Sequence, residues 1–176
     1  MLVACASVPK CPLSLRTSRT ASVVGMVSVS EAQNLGSVSI VPELSVRRGR
    51  EAVEFYKRAF GAVEVYRVGG TDDNPDIVAQ LSVGGASFWV SDEAPASANF
   101  SPESLSGGTV RMLLIVDDPS SAIERATSAG ATEVYPVTEE HGWRLGRVED
   151  PFGHHWEIGK PLIPWPPADS RPGGNH

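Results

Sequence analysis

The most restrictive feature of this sequence is that part of it occurs twice, 69 residues apart. Residues 61–68 read GAVEVYRV and residues 130–137 read GATEVYPV, so six of the eight positions are identical. A helical pattern precedes each copy, and two strand-like segments follow it. Self-similarity at a fixed spacing is typical of a duplicated structural module. The 176 residues are enough for both modules to share one domain.

Both modules have the same predicted order of elements, βαβββ. Gly61 can end the first helix in the left-handed conformation, and Gly130 can do the same for the second. Asp118 suits the N-cap of the second helix, and Pro119 suits its first position. The apolar stripes comprise Ala52, Phe55, Tyr56, Ala59 and Phe60 in the first helix and Ala122, Ile123, Ala126 and Ala129 in the second. The predicted strands are 38–46, 62–68, 77–83, 86–91, 109–116, 131–137, 144–149 and 154–159.

These elements divide the chain into four parts after its first 37 residues. Module one covers 38–91 and module two covers 109–160. The segment 92–108 between them is rich in Pro, Ala, Ser and Gly, which predicts a linker without strong structure of its own. The tail 161–176 contains five prolines, which predicts an extended or disordered segment. The predicted fold class is α+β, with two tandem βαβββ modules forming a cupped mixed sheet.

The first 30 residues have the composition of an organelle transit peptide. They contain three basic residues and scattered Ser and Thr, and the first acidic residue is Glu31. No continuous apolar stretch of the kind a secretory signal requires occurs among them. Their uncharged start favours a plastid, here a chloroplast, over a mitochondrion, and a plain N-terminal tail on a cytosolic protein is the alternative.

Charge and cysteine content exclude several classes of function. Cys5 and Cys11 are the only cysteines, so a chain processed near residue 31 would have neither a disulfide nor a thiolate site. Loss of the three basic residues before Glu31 would take the net charge from −6 to −9. An acidic chain is not expected to bind nucleic acid or an anionic membrane surface. No apolar stretch approaches the roughly 18 residues that a membrane-spanning helix requires.

Two motifs resemble one known family. Residues 51–62, EAVEFYKRAFGA, are similar to the first helix and its exit in the vicinal-oxygen-chelate superfamily, which includes glyoxalase and bleomycin-resistance proteins. Residues 150–158, DPFGHHWEI, are similar to its final turn and strand. With the duplication, the resemblance covers 38–160 and implies two modules around a small-molecule cleft. Asp150, Pro151 and Gly153 also suit a type I turn, so we interpret them as structural.

The resemblance implies positions for a divalent metal, which family enzymes bind through four His, Gln or Glu side chains. Matching the motifs places these positions at Val41, Trp89, Arg111 and Glu157, of which only Glu157 could coordinate a metal. One carboxylate beside a guanidinium does not make a cation site. We therefore predict a metal-free cleft without a cofactor.

A relocated metal site is the alternative. Glu43, His155 and Glu157 would bind Ni, Zn or Mn. His154 is expected to point to the other face of its strand and to be structural.

Side-chain alternation predicts what else lines the cleft. Residues two apart on a strand share a face, which places Glu43, Trp89, Arg111, His155 and Glu157 on the concave side. An aromatic group, an arginine and two carboxylates suit a small polar or amphipathic ligand.

The segment 139–146 resembles the family loop over the cleft mouth. In it Trp143 could stack on a ligand, and Arg144 or the nearby Arg147 could hold an anionic group. The alternative is that Trp143 packs on a neighbouring strand and both arginines are solvated.

Three functions fit these features. The first is a binding module for a small organic ligand. The second is a metal-dependent isomerase or lyase of the lactoylglutathione lyase type, in which Glu157 is catalytic and moves a proton. The third is a structural or partner-binding role without a working cleft. Open sheet edges also predict a homodimer.

Overall fold

Each copy of the repeated sequence forms the second strand of a four-stranded sheet. The computed structural model describes residues 39–165, which belong to one compact unit. The first module comprises β1 (Glu43–Val46), α1 (Gly49–Phe60), β2 (Val63–Gly69), β3 (Ile77–Val83) and β4 (Ala86–Asp92). A short helix α2 (Pro102–Leu105) follows, and the second module comprises β5 (Arg111–Ile115), α3 (Pro119–Ala129), β6 (Thr132–Glu140), β7 (Trp143–Glu149) and β8 (His155–Pro161).

The two sheets have the same topology. Their strand orders are β1-β4-β3-β2 and β5-β8-β7-β6. The first strand of each module pairs in parallel with the last, and the other pairs are antiparallel. The predicted α+β fold of two βαβββ modules is thus confirmed. Both β2 and β6 also carry a β-bulge at the same point of the repeat, between Glu64 and Tyr66 and between Glu133 and Tyr135.

Both long helices end as their sequences predict, and α3 also begins as predicted. Gly61 and Gly130 have positive φ values of 66° and 119°, and their N–H groups donate to carbonyls of the last helical turn. The side chain of Asp118 accepts hydrogen bonds from the backbone of Ser120 and Ser121, which satisfies free donors at the start of α3. The two helices pack against each other, and each covers one face of its own sheet.

The start of α1 depends on a residue distant in sequence. Its N-cap, Arg48, makes no side-chain capping bond. Instead the Oδ1 atom of Asp92, at the end of β4, accepts a hydrogen bond of 2.8 Å from the N–H of Gly49. The Oδ2 atom accepts another from the N–H of Ile77, so one carboxylate fixes a helix and two strands.

An aromatic cluster forms the centre of the core where the modules meet. Its rings belong to Phe55, Tyr56, Phe60, Phe88, Phe152 and Trp156, with centroid separations from 4.6 to 6.4 Å. The predicted turn at Asp150 lies beside this cluster, closed by a bond from the N–H of Gly153 to the carbonyl of Asp150. The turn therefore has the structural role that its residues suggested.

The linker is more ordered than its composition predicted. It contains a 3-10 turn at Pro95–Ser97 and the helix α2. The carboxylate of Glu93 accepts hydrogen bonds from the N–H and hydroxyl of Ser101 and from the hydroxyl of Ser104. These hydrogen bonds lower the pKa of Glu93 below its usual range, and the bond from the Ser101 N–H has the largest effect. The prediction of an unstructured linker was wrong because composition does not reveal such side-chain bonds.

Several predicted boundaries also differ. The first strand begins at Glu43, not at residue 38, and Ile40, which we expected to pack on a helix, is 96% exposed. Residues 139–146 are not a covering loop but the tight hairpin between β6 and β7. The start of the tail is ordered, since β8 extends to Pro161 and the rings of Trp165 and Trp143 are in edge contact.

Some predictions concern residues that the structure does not describe. The transit segment 1–30 and the tail beyond Trp165 lie outside 39–165. Within that range, no helix has the length and apolarity needed to cross a membrane.

Candidate functional site

The open face of the second sheet carries a cavity of about 500 Å³. Its polar end is formed by Arg147 and Glu157, from β7 and β8. Its apolar side is formed by Tyr135, Trp143 and Leu145. Leu145 lies over Gly159, where a Cβ would lie 2.8 Å from the carbonyl oxygen of Arg144. Gly159 therefore leaves room for the side chain of Leu145, which lines the cavity.

Two arginines share one carboxylate at the polar end. The Oε1 atom of Glu157 lies 3.3 Å from Nε of Arg111 and 3.5 Å from a terminal nitrogen of Arg147. The Arg147 guanidinium also lies over the ring of Tyr135, 4.6 Å from its centroid. The side chain of Arg111 is 57% exposed, whereas those of Arg147 and Glu157 are each 23% exposed. These three groups together carry one positive charge in excess. A second carboxylate that lines the cavity, Glu140, lies at the hairpin end, where it pairs with Trp143 across β6 and β7.

Strand register assembles this row of side chains. Tyr135 pairs with Arg147 across β6 and β7, and Arg147 pairs with Glu157 across β7 and β8. The bulge before Tyr135 shifts that register, and strict alternation along the strand does not predict such a shift.

Of the two arginines that the sequence offered near Trp143, only Arg147 reaches the cavity. Arg144 has the opposite parity on β7, and its guanidinium donates to the hydroxyl of Ser120 on α3 at 2.9 Å. Arg144 therefore lies on the helix side of the sheet, and the prediction that placed it in the site is corrected. Arg147 and Trp143 have the same parity, which is the sequence signal that favours Arg147.

The first sheet carries the equivalent row, with different chemistry. Glu43 pairs with Trp89, Trp89 pairs with Gln80, and Gln80 pairs with Tyr66. The rings of Tyr66 and Trp89 are in edge contact at 5.8 Å. Neither Glu43 nor Trp89 lines the cavity on the second sheet. The structure therefore does not bring these two predicted ligand-binding residues to Arg111 and Glu157.

His155 lies at the start of β8, beside a different recess. That recess is also lined by Glu103 and Glu149, and the buried Nδ1 atom of His155 has no hydrogen-bond partner within 39–165. The neighbouring His154 points away, with Nε2 3.0 Å from the carbonyl oxygen of Ser45. His154 thus has the structural role predicted for it.

The residues at the expected metal positions do not suit a cation. Val41 and Trp89 offer no ligand, Arg111 is positively charged, and the carboxylate of Glu157 is already paired with two guanidinium groups. The relocated set of Glu43, His155 and Glu157 is not assembled either. In the described part of the chain, no three His, Cys, Asp or Glu side chains form a group that could hold a metal ion.

Comparison with known proteins identifies relatives that match 60 to 70% of this chain. A family model for the glyoxalase At5g48480-like N-terminal domain matches residues 44–93. The uncharacterized protein Mb0911c of Mycobacterium bovis is 38% identical over 128 residues, which cover 70% of this chain and 84% of that protein. An uncharacterized Arabidopsis thaliana protein, At5g48480, is 38% identical over 115 residues, covering 60% of this chain and 68% of its own.

Solved structures have the same fold. The X-ray structure of the At5g48480 gene product superposes with a TM-score of 0.57 at 33% identity, covering 71% of this chain and all of that one. TioX from Micromonospora sp. ML1 gives 0.54 at 28% identity, covering 72% of this chain and all of that one.

A more distant neighbour shares the fold alone. The fosfomycin resistance protein FosX of Listeria monocytogenes, solved with Mn(II) and sulfate, gives a TM-score of 0.54 at 14% identity, covering 72% of this chain and 93% of that one. Sequence identity to the relatives, the glyoxalase-like family model and the shared two-module fold agree. This chain belongs to the vicinal-oxygen-chelate superfamily.

Proposed function

We propose that this protein binds a small organic molecule in the cavity on the open face of its second sheet, and that it does so without a metal. The observation that carries this proposal is the ion-pair arrangement at Glu157. Its carboxylate lies between Arg111 and Arg147, at 3.3 and 3.5 Å. A cation at this point would be repelled by two guanidinium groups and would have only one carboxylate as a ligand.

The cavity supports binding by its size and composition. About 500 Å³ lies within the range typical of small-molecule sites. Aromatic and aliphatic side chains form one side, Arg147 and Glu157 meet at one end, and Glu140 lies beside Trp143 at the hairpin. This division is usual where apolar contacts provide affinity and polar groups fix orientation.

The metal-dependent isomerase of the lactoylglutathione lyase type is the competing function. It would need a metal to polarise a substrate oxygen. The Mn(II) in the FosX structure belongs to a protein only 14% identical to this one. The donor set of this protein does not fit a cation, because the carboxylate of Glu157 is paired with Arg111 and Arg147.

The discriminating experiment measures metal and ligand binding on the same purified protein. We expect no stoichiometric nickel, zinc or manganese, no rise of the melting temperature with these ions, and no hemithioacetal turnover. We expect a rise with members of a small-molecule library. A melting temperature raised by several degrees with one metal, and restored to the metal-free value in Glu157→Ala but not in the exposed control Glu139→Ala, would overturn the proposal.

We also propose that the protein forms a homodimer. The edge strand β2 exposes Val63, Val65 and Val68 by 65, 59 and 50%. On β5, Leu113 and Ile115 are 50 and 58% exposed. Exposed apolar side chains on edge strands favour association with a second copy of the chain. Sedimentation velocity at micromolar concentration should report a dimer that Val65→Glu weakens, and a wild-type monomer would contradict this.

A further inference from the structure

The polar end of the cavity has capacity for a second anion. One carboxylate serves two guanidinium groups, and both separations exceed the roughly 2.7–2.9 Å of a strong charge-assisted hydrogen bond. The Nε atom of Arg147 is buried and has no hydrogen-bond partner within residues 39–165. The hydrogen-bonding groups of Arg147 are thus incompletely satisfied by the protein.

The setting of Arg147 restricts the shape of that anion. Its guanidinium stacks over the ring of Tyr135 at 4.6 Å, which limits rotation of its plane. A planar guanidinium with a fixed orientation matches a carboxylate, because both groups are flat and can form two parallel hydrogen bonds.

The rest of the cavity restricts the body of the ligand. Trp143 and Leu145 lie on β7 at the same parity as Arg147, so they continue the cavity from Arg147 towards Glu140 and His141 of the hairpin. Trp143 is held by edge contact with Trp165, at a centroid distance of 5.3 Å. Rigid aromatic and aliphatic side chains favour a flat apolar group.

We propose that the ligand is a small carboxylate with a flat apolar body, whose carboxylate pairs with Arg147 while its body lies against Trp143 and Leu145. This inference rests on the proposed function, since it concerns the same cavity. It adds the charge, the functional group and the orientation of the ligand.

The test compares molecules of the same shape that differ only at the polar group. The full chain is titrated calorimetrically with 2-naphthoate and with its neutral amide. Wild type should bind the carboxylate about tenfold more tightly, as expected for the net contribution of a charged hydrogen-bonded pair. The Arg147→Met variant should lose this preference and still bind the amide as wild type does. A titration with 2-naphthyl phosphate tests whether charge alone explains the preference.

Arg144→Met is the matched control, because Arg144 lies on the same strand but faces α3. Its preference for the carboxylate should equal that of wild type. Should Arg147→Met fail to fold, Arg147→Lys keeps the charge but not the planar fork, and should retain only part of the preference.

Each result bears on the proposal. Equal binding of carboxylate and amide by wild type would overturn it and leave small-molecule binding intact. Stronger binding of the phosphate, or a preference unchanged in both Arg147 variants, would overturn it too. If neither naphthalene compound bound while other library members did, the inference would fail alone. If no library member bound, the proposed function would fail as well.

Discussion

The hydroxyl of Tyr56 donates a 2.6 Å hydrogen bond to Oδ2 of Asp150, joining the helix of the first module to the final turn of the second. Both residues are buried. The same carboxylate accepts bonds from the indole N–H of Trp156 and from the backbone N–H groups of Phe152 and His154. Burial, and secondly the charge of Asp150, raise the pKa of Tyr56 well above its usual value, so the phenol stays protonated and donates.

Replacement of Tyr56 by Phe should lower the free energy of unfolding by about 1–3 kcal/mol. The cause is the loss of one of the bonds that compensate a buried carboxylate. Urea denaturation measures the change, with Tyr66→Phe as control because Tyr66 is 51% exposed and lies outside this network. Equal stability of Tyr56→Phe and wild type would show that the remaining donors suffice.

Gly49→Ala should destabilise the fold by about 1–3 kcal/mol, as overpacking does. An added Cβ would lie 2.7 Å from Oδ2 of Asp92 and still nearer to a methyl carbon of Ile77. This change would disturb the carboxylate that caps α1. Gly108→Ala is the control, because its nearest neighbouring atoms lie 4.0 Å away. Thermal denaturation that ranks the two variants equally would refute the argument.

Ionised Glu93 should stabilise the linker at neutral pH and should lose this effect in acid. Because its pKa is lowered in the folded chain, its ionised form contributes stability at neutral pH that is lost as the pH falls through the folded-state pKa. Glu93→Gln should therefore melt below wild type at pH 7, and the difference should shrink between about pH 5 and pH 3. Glu139→Gln controls for the loss of one surface charge. A difference in melting temperature that stays constant or grows on acidification would contradict this prediction.

Glu157→Gln should strengthen the binding of an anionic probe such as 2-naphthoate by about threefold to tenfold, since removal of one partly exposed charge is worth about 1 kcal/mol. The substitution leaves Arg111 and Arg147 without a competing carboxylate. Calorimetric titration at two salt concentrations checks this, and the gain should fall at higher salt. Weaker binding by the variant would mean that Glu157 orients Arg147 rather than competing with the ligand.

Local patterns in the sequence were sufficient for the helices and strands of the two modules, but not for α2 in the linker. Helical spacing identified both helices, Gly61 and Gly130 identified where they end, and Asp118 identified where α3 begins. Strand Ile77–Val83 has the predicted bounds. These features depend on residues that are close together in the chain, so they can be predicted from the sequence.

The site was harder to predict from the sequence, because it depends on the register between strands. Alternation placed Glu157 correctly on the open face of its strand, and the family resemblance of 139–146 pointed to Trp143. Alternation could not place Tyr135, since a bulge interrupts its strand. The resemblance left Arg144 and Arg147 open, and only Arg147 reaches the cavity.

The sequence by itself therefore determined the duplicated βαβββ modules, because periodicity and turn residues act locally. Only the tertiary structure decided that Glu157 pairs with both Arg111 and Arg147, that Asp92 caps a helix 43 residues before it, and that Glu43 and Trp89 lie away from the cavity. Such contacts join strands and helices far apart in the chain, and their geometry follows from register and packing rather than from the residues next to them.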